Sequence, residues 1–217
     1  MKVFLHKTPE HLELRAEGPD APGAVYVDFL SGKQAHRQRF GGGRRQLIGR
    51  AVGIKPNQRL KVLDVTAGLG RDAYVLACLG CDVLMVERSK EVVALLKDGL
   101  VRGEKDADFA ALSLSLIEAD ARDYMRTLSD ADRPDVVYLD PMFPVSKKSA
   151  LVKKEMRILK YVVGEDDVSA EMLELALKTA LKRVVVKRPR YAESIEGPKP
   201  DVVFMGKSSR FDVYICV

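Results

Sequence analysis

Short apolar runs alternate with helix-like segments from Arg59 onward, and this alternation restricts the fold more than any other feature of the sequence. The runs are rich in β-branched residues, so each is predicted to be a strand buried on both faces. Strands joined through helices pair in parallel, with helices on both faces of the sheet. The predicted buried strands span residues 60–65, 83–87, 115–119, 136–139 and 183–187.

Capping serines and a final hairpin complete this pattern. Ser89 and Ser169 each precede apolar residues at helical spacing and are predicted to be helix N-caps. Further helices are predicted over 71–79 and 122–128. The strand-like segments 201–205 and 211–217 are separated by only five residues, which predicts an antiparallel hairpin. We therefore expect an α/β fold, with a doubly wound, mostly parallel, Rossmann-like sheet that ends in an antiparallel hairpin.

The first fifty residues follow a different pattern. A strand-like segment over 24–29 precedes a run of basic residues that contains Gly41-Gly42-Gly43 and no acidic residue up to Arg50. A chain of 217 residues can bury the core of one domain of ordinary size. We predict a small basic N-terminal extension over 1–50 and one catalytic domain over 51–217.

Composition limits the location and the partners. Lys and Arg outnumber Asp and Glu by 36 to 31, which favours a polyanionic partner. No apolar run approaches the ~20 residues of a membrane span, and the three cysteines are too few for a disulfide framework. We expect a cytoplasmic protein that is not attached to a membrane. Cys78 and Cys81 are expected to be packed side chains, and no metal site is expected.

A glycine-rich loop follows the first buried strand. The segment from Asp64 to Gly70 ends one predicted strand and precedes a predicted helix, so Gly68 and Gly70 lie where the backbone must approach a bound nucleoside cofactor. Amides at the start of that helix favour a negative group. Arg71 and Asp72 can then hold the carboxylate and the ammonium of an amino-acid tail.

Acidic residues end the next two strands. Glu87 lies about 20 residues beyond the glycines, where a carboxylate reaches ribose hydroxyls, and Arg88 follows it. Asp120 can accept a hydrogen bond from an adenine amino group, with Ala121 contributing its backbone, or it can cap the following helix, or both. The glycine motif also satisfies the dinucleotide fingerprint, so an NAD-dependent oxidoreductase is an alternative. The sequence provides no separate substrate domain for that reaction.

Asp140-Pro141-Met142-Phe143 ends the fourth strand, on the same edge of the sheet as the glycine loop. The lone pair of an exocyclic amine on a nucleobase is delocalised into the ring, so the amine is a poor nucleophile. The Asp140 carboxylate and the Pro141 carbonyl can localise that lone pair by accepting the amine's protons, while Phe143 stacks on the ring. An ordinary strand-terminating turn is the alternative. The motif and the loop that contains Gly68 and Gly70 both follow strands that end at the same edge of the sheet. Together they predict methyl transfer to an exocyclic amine.

These segments resemble class I S-adenosylmethionine-dependent methyltransferases, in which amino-methylating members carry Asp/Asn-Pro-Pro-Tyr/Phe where this chain has Asp140 to Phe143. A longer resemblance, nearly the whole chain from about Thr8, is to the RsmJ family of bacterial small-subunit rRNA guanine-N2 methyltransferases. It runs through Val27-Asp28-Phe29, Phe40-Gly41-Gly42-Gly43-Arg44, the glycine loop, Tyr138 to Pro144 and Val184-Val185-Val186-Lys187-Arg188-Pro189. Members of that family usually begin with a further N-terminal segment, which this chain is expected to lack.

The resemblance implies S-adenosylmethionine as cofactor and one guanine of 16S rRNA, free or in the small ribosomal subunit, as target. The implied cofactor contacts are Arg71, Asp72, Glu87, Arg88, Asp120, Ala121 and Asp140, and Asp64, Gly68 and Gly70 of the glycine loop are predicted to bind the cofactor with them. A DNA adenine-N6 or cytosine-N4 methyltransferase is an alternative, because the same chemistry serves those amines. A non-catalytic RNA-binding module is another. The oligomeric state is not predicted.

Basic clusters over 33–50, 147–160 and 182–190 are expected to contact RNA phosphates, although each can also be a solvated surface. The middle cluster begins directly after the predicted catalytic loop, where the substrate backbone must pass. The residues predicted to bind RNA are Arg37, Arg39, Arg44, Arg45, Lys147, Lys148, Lys153 and Lys154.

Overall fold

The computed structural model describes residues 2–19, 21–31, 43, 46–141, 154–164 and 169–216, without the side chains of 154–157. In this part of the chain, two N-terminal strands form a separate antiparallel hairpin, β1 (Lys2–Lys7) and β2 (Leu12–Glu17). Seven further strands form one sheet: β3 (Lys61–Asp64), β4 (Asp82–Glu87), β5 (Leu114–Glu118), β6 (Val136–Leu139), β7 (Arg183–Pro189), β8 (Val202–Met205) and β9 (Ser209–Ile215).

The strand order of this sheet is β5-β4-β3-β6-β7-β9-β8. Strands β3 to β7 pair in parallel, whereas β9 pairs antiparallel with both β7 and β8. The predicted mostly parallel sheet with a terminal antiparallel hairpin is thereby confirmed. The order of the strands reverses between β3 and β6, and in such sheets ligands bind beyond the carboxyl ends of the strands at this reversal.

Helices cover both faces of the sheet, as predicted. Ser89 Oγ accepts a hydrogen bond from the amide of Val92 at 3.4 Å, and Ser169 Oγ accepts one from Met172 at 3.4 Å, which confirms both N-caps. The described helices are α1 (Leu47–Val52), α2 (Arg71–Cys78), α3 (Lys90–Gly103), α4 (Ala107–Ala110), α5 (Ala121–Thr127), α6 (Lys154–Val163) and α7 (Ala170–Thr179).

The two faces of the sheet belong to two hydrophobic clusters. On one face, residues of α1, α2, α3 and α6 pack around Val62, Val83 and Tyr138. On the other face, α5 and α7 cover Leu63 and Val137. Near-complete burial of the central strands on both sides explains why their sequences are continuous apolar runs.

The predicted strand over 24–29 is wrong. Among the described residues, this segment makes a single bridge, between Leu14 and Val25. Val25, Val27 and Phe29 alternate as in a strand and are each only 2% exposed, but Val27 and Phe29 are buried by side-chain packing on helices α2, α3 and α4 and not by a strand ladder. A Cβ added at Gly99 of α3 would lie 2.5 Å from Val27 Cγ1, so this helix accepts the segment through a glycine.

The β1–β2 hairpin and α1 were not predicted, and both pack onto the seven-stranded sheet and its helices. Leu14 of β2 and Ile48 of α1 share the hydrophobic cluster that covers the sheet. The domain boundary at residue 50 stays a prediction. None of the described helices is long and apolar enough to cross a membrane.

Candidate active site

The carboxyl ends of four neighbouring parallel strands carry polar side chains at one edge of the sheet. These strands lie side by side in the order β5, β4, β3 and β6, with β7 next to β6. Because their carboxyl ends share one edge, residues far apart in sequence are brought together there. The acidic residues at or just beyond these ends are Asp64, Glu87, Asp120 and Asp140.

The two glycines of the loop after β3 have different roles. Both have left-handed backbone angles, with φ of +52° at Gly68 and +69° at Gly70. A Cβ at Gly68 would meet only open space, its nearest atom being Thr66 O at 3.9 Å. A Cβ at Gly70 would lie 3.0 Å from Leu96 Cδ2 and 3.2 Å from Met85 Sδ. Gly68 therefore exposes backbone to a ligand, whereas Gly70 allows α2 to begin close against the core.

Glu87 holds this loop in place. Its Oε2 accepts a hydrogen bond from the amide of Gly68 at 3.1 Å, and its Oε1 accepts one from the amide of Ser89 at 2.9 Å. The residue is only 7% exposed. The predicted ribose carboxylate thus lies directly beneath the open side of the glycine loop.

Asp140 is joined to two charged partners on other elements. Its Oδ2 accepts a hydrogen bond from Lys187 Nζ of β7 at 2.6 Å. The same ammonium donates to Asp72 Oδ2 of α2 at 2.6 Å, and Asp72 Oδ2 also accepts from the Tyr138 hydroxyl at 2.7 Å. A single lysine therefore bridges the predicted catalytic carboxylate and a predicted cofactor ligand.

Thr66 links the glycine loop to Asp140, the first residue of the predicted catalytic motif. Its Oγ1 accepts a hydrogen bond from the backbone amide of Asp140 at 2.6 Å. Asp64 Oδ1 accepts from the backbone amide of Thr66 at 3.1 Å and from its hydroxyl at 3.4 Å. The first residues of the two predicted motifs, Asp64 and Asp140, are thus joined through one side chain.

Burial and mutual repulsion change the acidity of this cluster. Burial raises the pKa of Asp140 to about 6; Lys187 acts to lower it and Asp72 acts to raise it. Burial likewise raises the pKa of Asp64 to about 7, with the charges of Asp72 and Asp140 adding to that effect. Burial alone would lower the pKa of Lys187, but the two bonded carboxylates hold it above its usual value.

The remaining predicted cofactor residues lie at the same edge. Asp120 Oδ1 accepts from the amides of Arg122 at 2.8 Å and Asp123 at 3.4 Å, so its role as an N-cap is confirmed and its contact to adenine stays a prediction. Ala121 begins α5 and is buried. Arg71 is exposed in the first turn of α2. Arg88 donates to the carbonyl of Val163 at 3.2 Å, which ties β4 to α6.

Several predicted site residues lie outside the described residues. Pro141 is described and buried, but Phe143 is not described. Of the residues predicted to bind RNA, only Lys154 falls in a described element, and its side chain is not described. The others outside the described part are Arg37, Arg39, Arg44, Arg45, Lys147, Lys148 and Lys153.

Thr66 and Lys187 were missed as parts of the site from sequence. Lys187 was assigned only to a basic cluster expected to contact RNA. A signal for it existed, because a lysine directly after Val184-Val185-Val186 continues a buried strand, where an ammonium needs carboxylate partners. Thr66 carried no such signal, since its partner is a backbone amide 74 residues away.

The site fits a ligand with a net positive charge. Two carboxylates, those of Asp72 and Asp140, bond a single ammonium, a third carboxyl group, that of Asp64, lies near both, and the glycine loop is open at Gly68. S-adenosylmethionine combines a sulfonium, an ammonium and one carboxylate, so this set of donors and charges suits it better than a pyrophosphate. Among the described residues, no His, Cys, Asp and Glu side chains cluster in a way that could hold a metal ion.

Comparisons with known proteins agree with this chemistry. A family model described as "Putative SAM-dependent methyltransferase" matches residues 1–216. The chain is 60% identical over 208 residues to ribosomal RNA small subunit methyltransferase J of Coxiella burnetii (strain RSA 331 / Henzerling II), with 96% of this chain and 81% of the relative covered. It is 53% identical over 207 residues to the protein of the same name from Pseudomonas aeruginosa (strain UCBPP-PA14), with 94% and 79% covered.

The fold is similar to that of a solved methyltransferase. The crystal structure of the SAM-dependent methyltransferase NGO1261 from Neisseria gonorrhoeae superposes with a TM-score of 0.77 at 38% identity, with 98% of this chain and 82% of that chain covered.

Proposed function

Because this chain belongs to the ribosomal RNA small subunit methyltransferase J family, we propose that it methylates the exocyclic N2 amine of one guanine in 16S rRNA. S-adenosylmethionine is its methyl donor. The observation that carries the proposal is the bond from the Asp140 amide to Thr66, because it holds Asp140, the first residue of the predicted catalytic motif, against the glycine loop.

Asp140 and Pro141 would activate the amine. The carboxylate of Asp140 and the carbonyl of Pro141 each accept one N–H of the amine, which returns the nitrogen lone pair from the ring to the nitrogen. A base paired in an RNA helix cannot reach these groups, so the target guanine must be unstacked first. The partial exposure of the Asp140 side chain, 37%, leaves room for such a base.

When bound, S-adenosylmethionine supplies a methyl group whose bond electrons return to sulfur as the amine lone pair forms the new N–C bond. The amine nitrogen then carries a positive charge and is strongly acidic. Asp140, with a pKa of about 6, is a sufficient base to take its proton.

The residues that would hold the cofactor surround the glycine loop. Glu87 would accept the ribose hydroxyls, and Asp120 with the Ala121 backbone would face adenine. Arg71 would pair with the carboxylate of the amino-acid tail. Gly68 exposes the backbone that approaches the ligand. Asp72 contributes negative charge nearby, but its carboxylate is engaged by Tyr138 and Lys187.

The RNA partner would be 16S rRNA, alone or in the small ribosomal subunit, and the reaction would take place in the cytoplasm, where that subunit is assembled. The basic residues of segments 33–50 and 147–154 would contact RNA phosphates. The chain's excess of basic over acidic residues supports this assignment, since a polyanion is attracted before any specific contact forms.

The test is incubation with S-adenosylmethionine labelled in its methyl group and with 16S rRNA, small subunits or double-stranded DNA, followed by nucleoside analysis. We expect N2-methylguanosine from one of the RNA substrates and no labelled adenine or cytosine from DNA. Asp140→Asn should fold normally but lose at least about 100-fold in turnover, because the amide is a weaker acceptor. Labelled N6-methyladenine, or near-normal turnover in a folded Asp140→Asn, would contradict the proposal.

A further inference from the structure

Lys187 connects three elements of the candidate site. It extends from β7, and its Nζ lies 2.6 Å from Asp72 Oδ2 on α2 and 2.6 Å from Asp140 Oδ2 beyond β6. Its side chain is 26% exposed, against 9% for Asp72 and 37% for Asp140. The ammonium therefore lies at the border between the core and the substrate side of the site.

The two carboxylate oxygens of Asp140 have different surroundings. Oδ2 accepts a hydrogen bond from Lys187 Nζ at 2.6 Å, and the Asp140 side chain is 37% exposed. One oxygen is thus held by the protein while the other can face the amine. Without the lysine bond, the carboxylate could rotate about its last torsion and present either oxygen in many directions.

Charge repulsion gives the lysine a second task. Asp140 and Asp72 bond the same nitrogen, so their carboxylates lie within a few ångströms of each other, with Asp64 close by. Neighbouring carboxylates without a cation share protons, because two negative charges at such a distance are costly in a buried site. A protonated Asp140 would be a weak acceptor and could not draw a proton of the amine towards itself.

We propose that Lys187 is a positioning residue for methyl transfer, which holds Oδ2 of Asp140 and keeps this carboxylate ionised so that Oδ1 accepts from the target amine. This inference rests on the proposed function of Asp140 as the amine's acceptor. It assigns Asp72, with the Tyr138 hydroxyl bonded to the same oxygen, to anchoring Lys187.

The groups that face this ammonium all come from the carboxyl edge of the sheet. Within the described residues they are the carboxylates of Asp72 and Asp140, with Asp64 and the hydroxyl of Tyr138 beside them. Burial of Asp140 and the charge of Asp72 raise the pKa of Asp140, and Lys187 opposes both effects. Removal of the lysine charge and removal of the Asp72 charge should therefore shift the titration of Asp140 in opposite directions.

The first measurement needs neither cofactor nor RNA. Aspartate labelled with carbon-13 at the side-chain carboxyl is titrated by NMR in the ligand-free protein, and the Asp140 signal is assigned by its loss in Asp140→Asn. We expect a titration near pH 6 in the wild type. In Lys187→Met the midpoint should rise by roughly 1–3 units, and in Asp72→Asn it should fall. Lys187→Arg should keep the wild-type midpoint.

The second measurement is the pH profile of kcat/KM for methyl transfer to the RNA substrate. The acidic limb should move with the Asp140 midpoint in each variant, which a merely structural role of Lys187 would not produce. Lys178→Met is the matched control. Lys178 pairs with Glu174 at 2.6 Å on the exposed surface of α7, outside the basic clusters expected to contact RNA, so its loss removes the same charge and leaves both measurements unchanged.

An Asp140 midpoint that is unchanged in both Lys187→Met and Asp72→Asn would overturn the assignment. If Lys187→Met does not fold, Lys187→Gln takes its place. The expected fall of the Asp140 midpoint in Asp72→Asn is then a second, independent test of the assignment. If the wild type methylates none of the nucleic acids, the proposed function fails, while the NMR titration still decides the role of Lys187.

Discussion

The left-handed angles of Gly68 and Gly70 have unequal consequences for substitution. Gly68→Ala places a methyl group in open space, so it should cost only the backbone strain of about 1–2 kcal/mol in the free energy of unfolding. Gly70→Ala adds a clash with Leu96 and Met85 to similar strain, for a total of about 2–4 kcal/mol.

The two glycine variants also separate stability from binding. Denaturant unfolding measures the stability order, and calorimetry measures the affinity for S-adenosylmethionine. We expect Gly68→Ala to weaken the free energy of S-adenosylmethionine binding by more than it lowers the free energy of unfolding. The reason is that its new methyl group points to the open side of the loop. Equal stability losses in the two variants would contradict the different roles of these glycines.

A second prediction about a single residue concerns Glu87. Glu87→Ala would leave the amides of Gly68 and Ser89 without their acceptor, so it would disturb the loop as well as the ligand. Glu87→Gln retains an acceptor oxygen for one of these amides and removes the charge, but its NH2 group cannot accept from the other amide. We expect it to weaken S-adenosylmethionine binding by about 1–3 kcal/mol, measured by calorimetry, with RNA affinity unchanged.

A folded Glu87→Gln that binds the cofactor with wild-type affinity would show that the ribose lies elsewhere. Glu118→Gln is a suitable control, because Glu118 ends the neighbouring strand β5 but is exposed.

At the scale of elements, one carboxylate fastens the N-terminal hairpin to α3. Asp98 accepts hydrogen bonds from Lys7 at 2.7 Å and Arg102 at 2.8 Å. Burial acts to raise the pKa of Asp98, but the bonds to these two cations hold it at about 2. The folded pKa is below the unfolded value, so this contribution to stability is complete above about pH 4 and is lost as the pH falls towards 2.

We therefore expect Asp98→Asn to lower the free energy of unfolding by roughly 1–2 kcal/mol at pH 7, a value reduced for the exposure of Lys7. The difference from the wild type should shrink between pH 4 and pH 2, measured by urea unfolding. Asp123→Asn, which breaks only an exposed pair with Arg126, should change stability by less than about 0.5 kcal/mol. If the difference in the free energy of unfolding between Asp98→Asn and the wild type did not change with pH, this would contradict the ionic role of Asp98.

Elements with a strong local signal were predictable. The sequence analysis found the apolar strands 136–139 and 183–187 and the serine caps. Burial of a strand on both faces and helix capping each depend on residues that are adjacent in sequence, so their pattern is visible there. The β1–β2 hairpin was not found, because its residues are partly exposed and alternate with charges such as Lys7 and Glu13. The segment around Val27 has strand-like alternation, but its partner is a helix that contacts it through side chains.

The site was predictable where chain geometry alone brings residues together. Strands that run in parallel place their carboxyl ends at one edge, so the acidic residues after β3, β4, β5 and β6 could be assigned to one site. Hydrogen bonds across that edge, such as those of Thr66 and Lys187, depend on side-chain directions that no local pattern specifies. For the same reason Asp72 was assigned to the ligand before its bonds to Tyr138 and Lys187 were known.

For the whole molecule, the salt dependence of RNA binding reports how many lysines contact phosphates. Lys147 and Lys148 lie outside the described residues and follow the catalytic loop in sequence. If both contact phosphate, replacing them with alanine should reduce the slope of log affinity against log salt by about 1.4 to 1.8. Cofactor affinity should not change.

The matched control is the double variant of Lys97 and Lys178, exposed lysines on α3 and α7 that pair with Glu118 and Glu174. It removes the same net charge from the molecule and should leave the slope unchanged. An unchanged slope in the Lys147 and Lys148 variant would instead move the RNA path towards Arg37, Arg39, Arg44 and Arg45.

The position of Lys187 in the chain also determines when the enzyme becomes competent as it is made. Lys187 follows Asp140 by 47 residues and Asp72 by 115. A nascent chain that has emerged only through β6 contains both carboxylates but not the cation that bridges them, and their repulsion opposes closure of the site. Addition of β7 to the sheet relieves that repulsion, so the last parallel strand to be synthesised supplies the cation that the site needs, before β8 and β9 complete the sheet. Premature termination before β7 should therefore leave a product that cannot modify RNA.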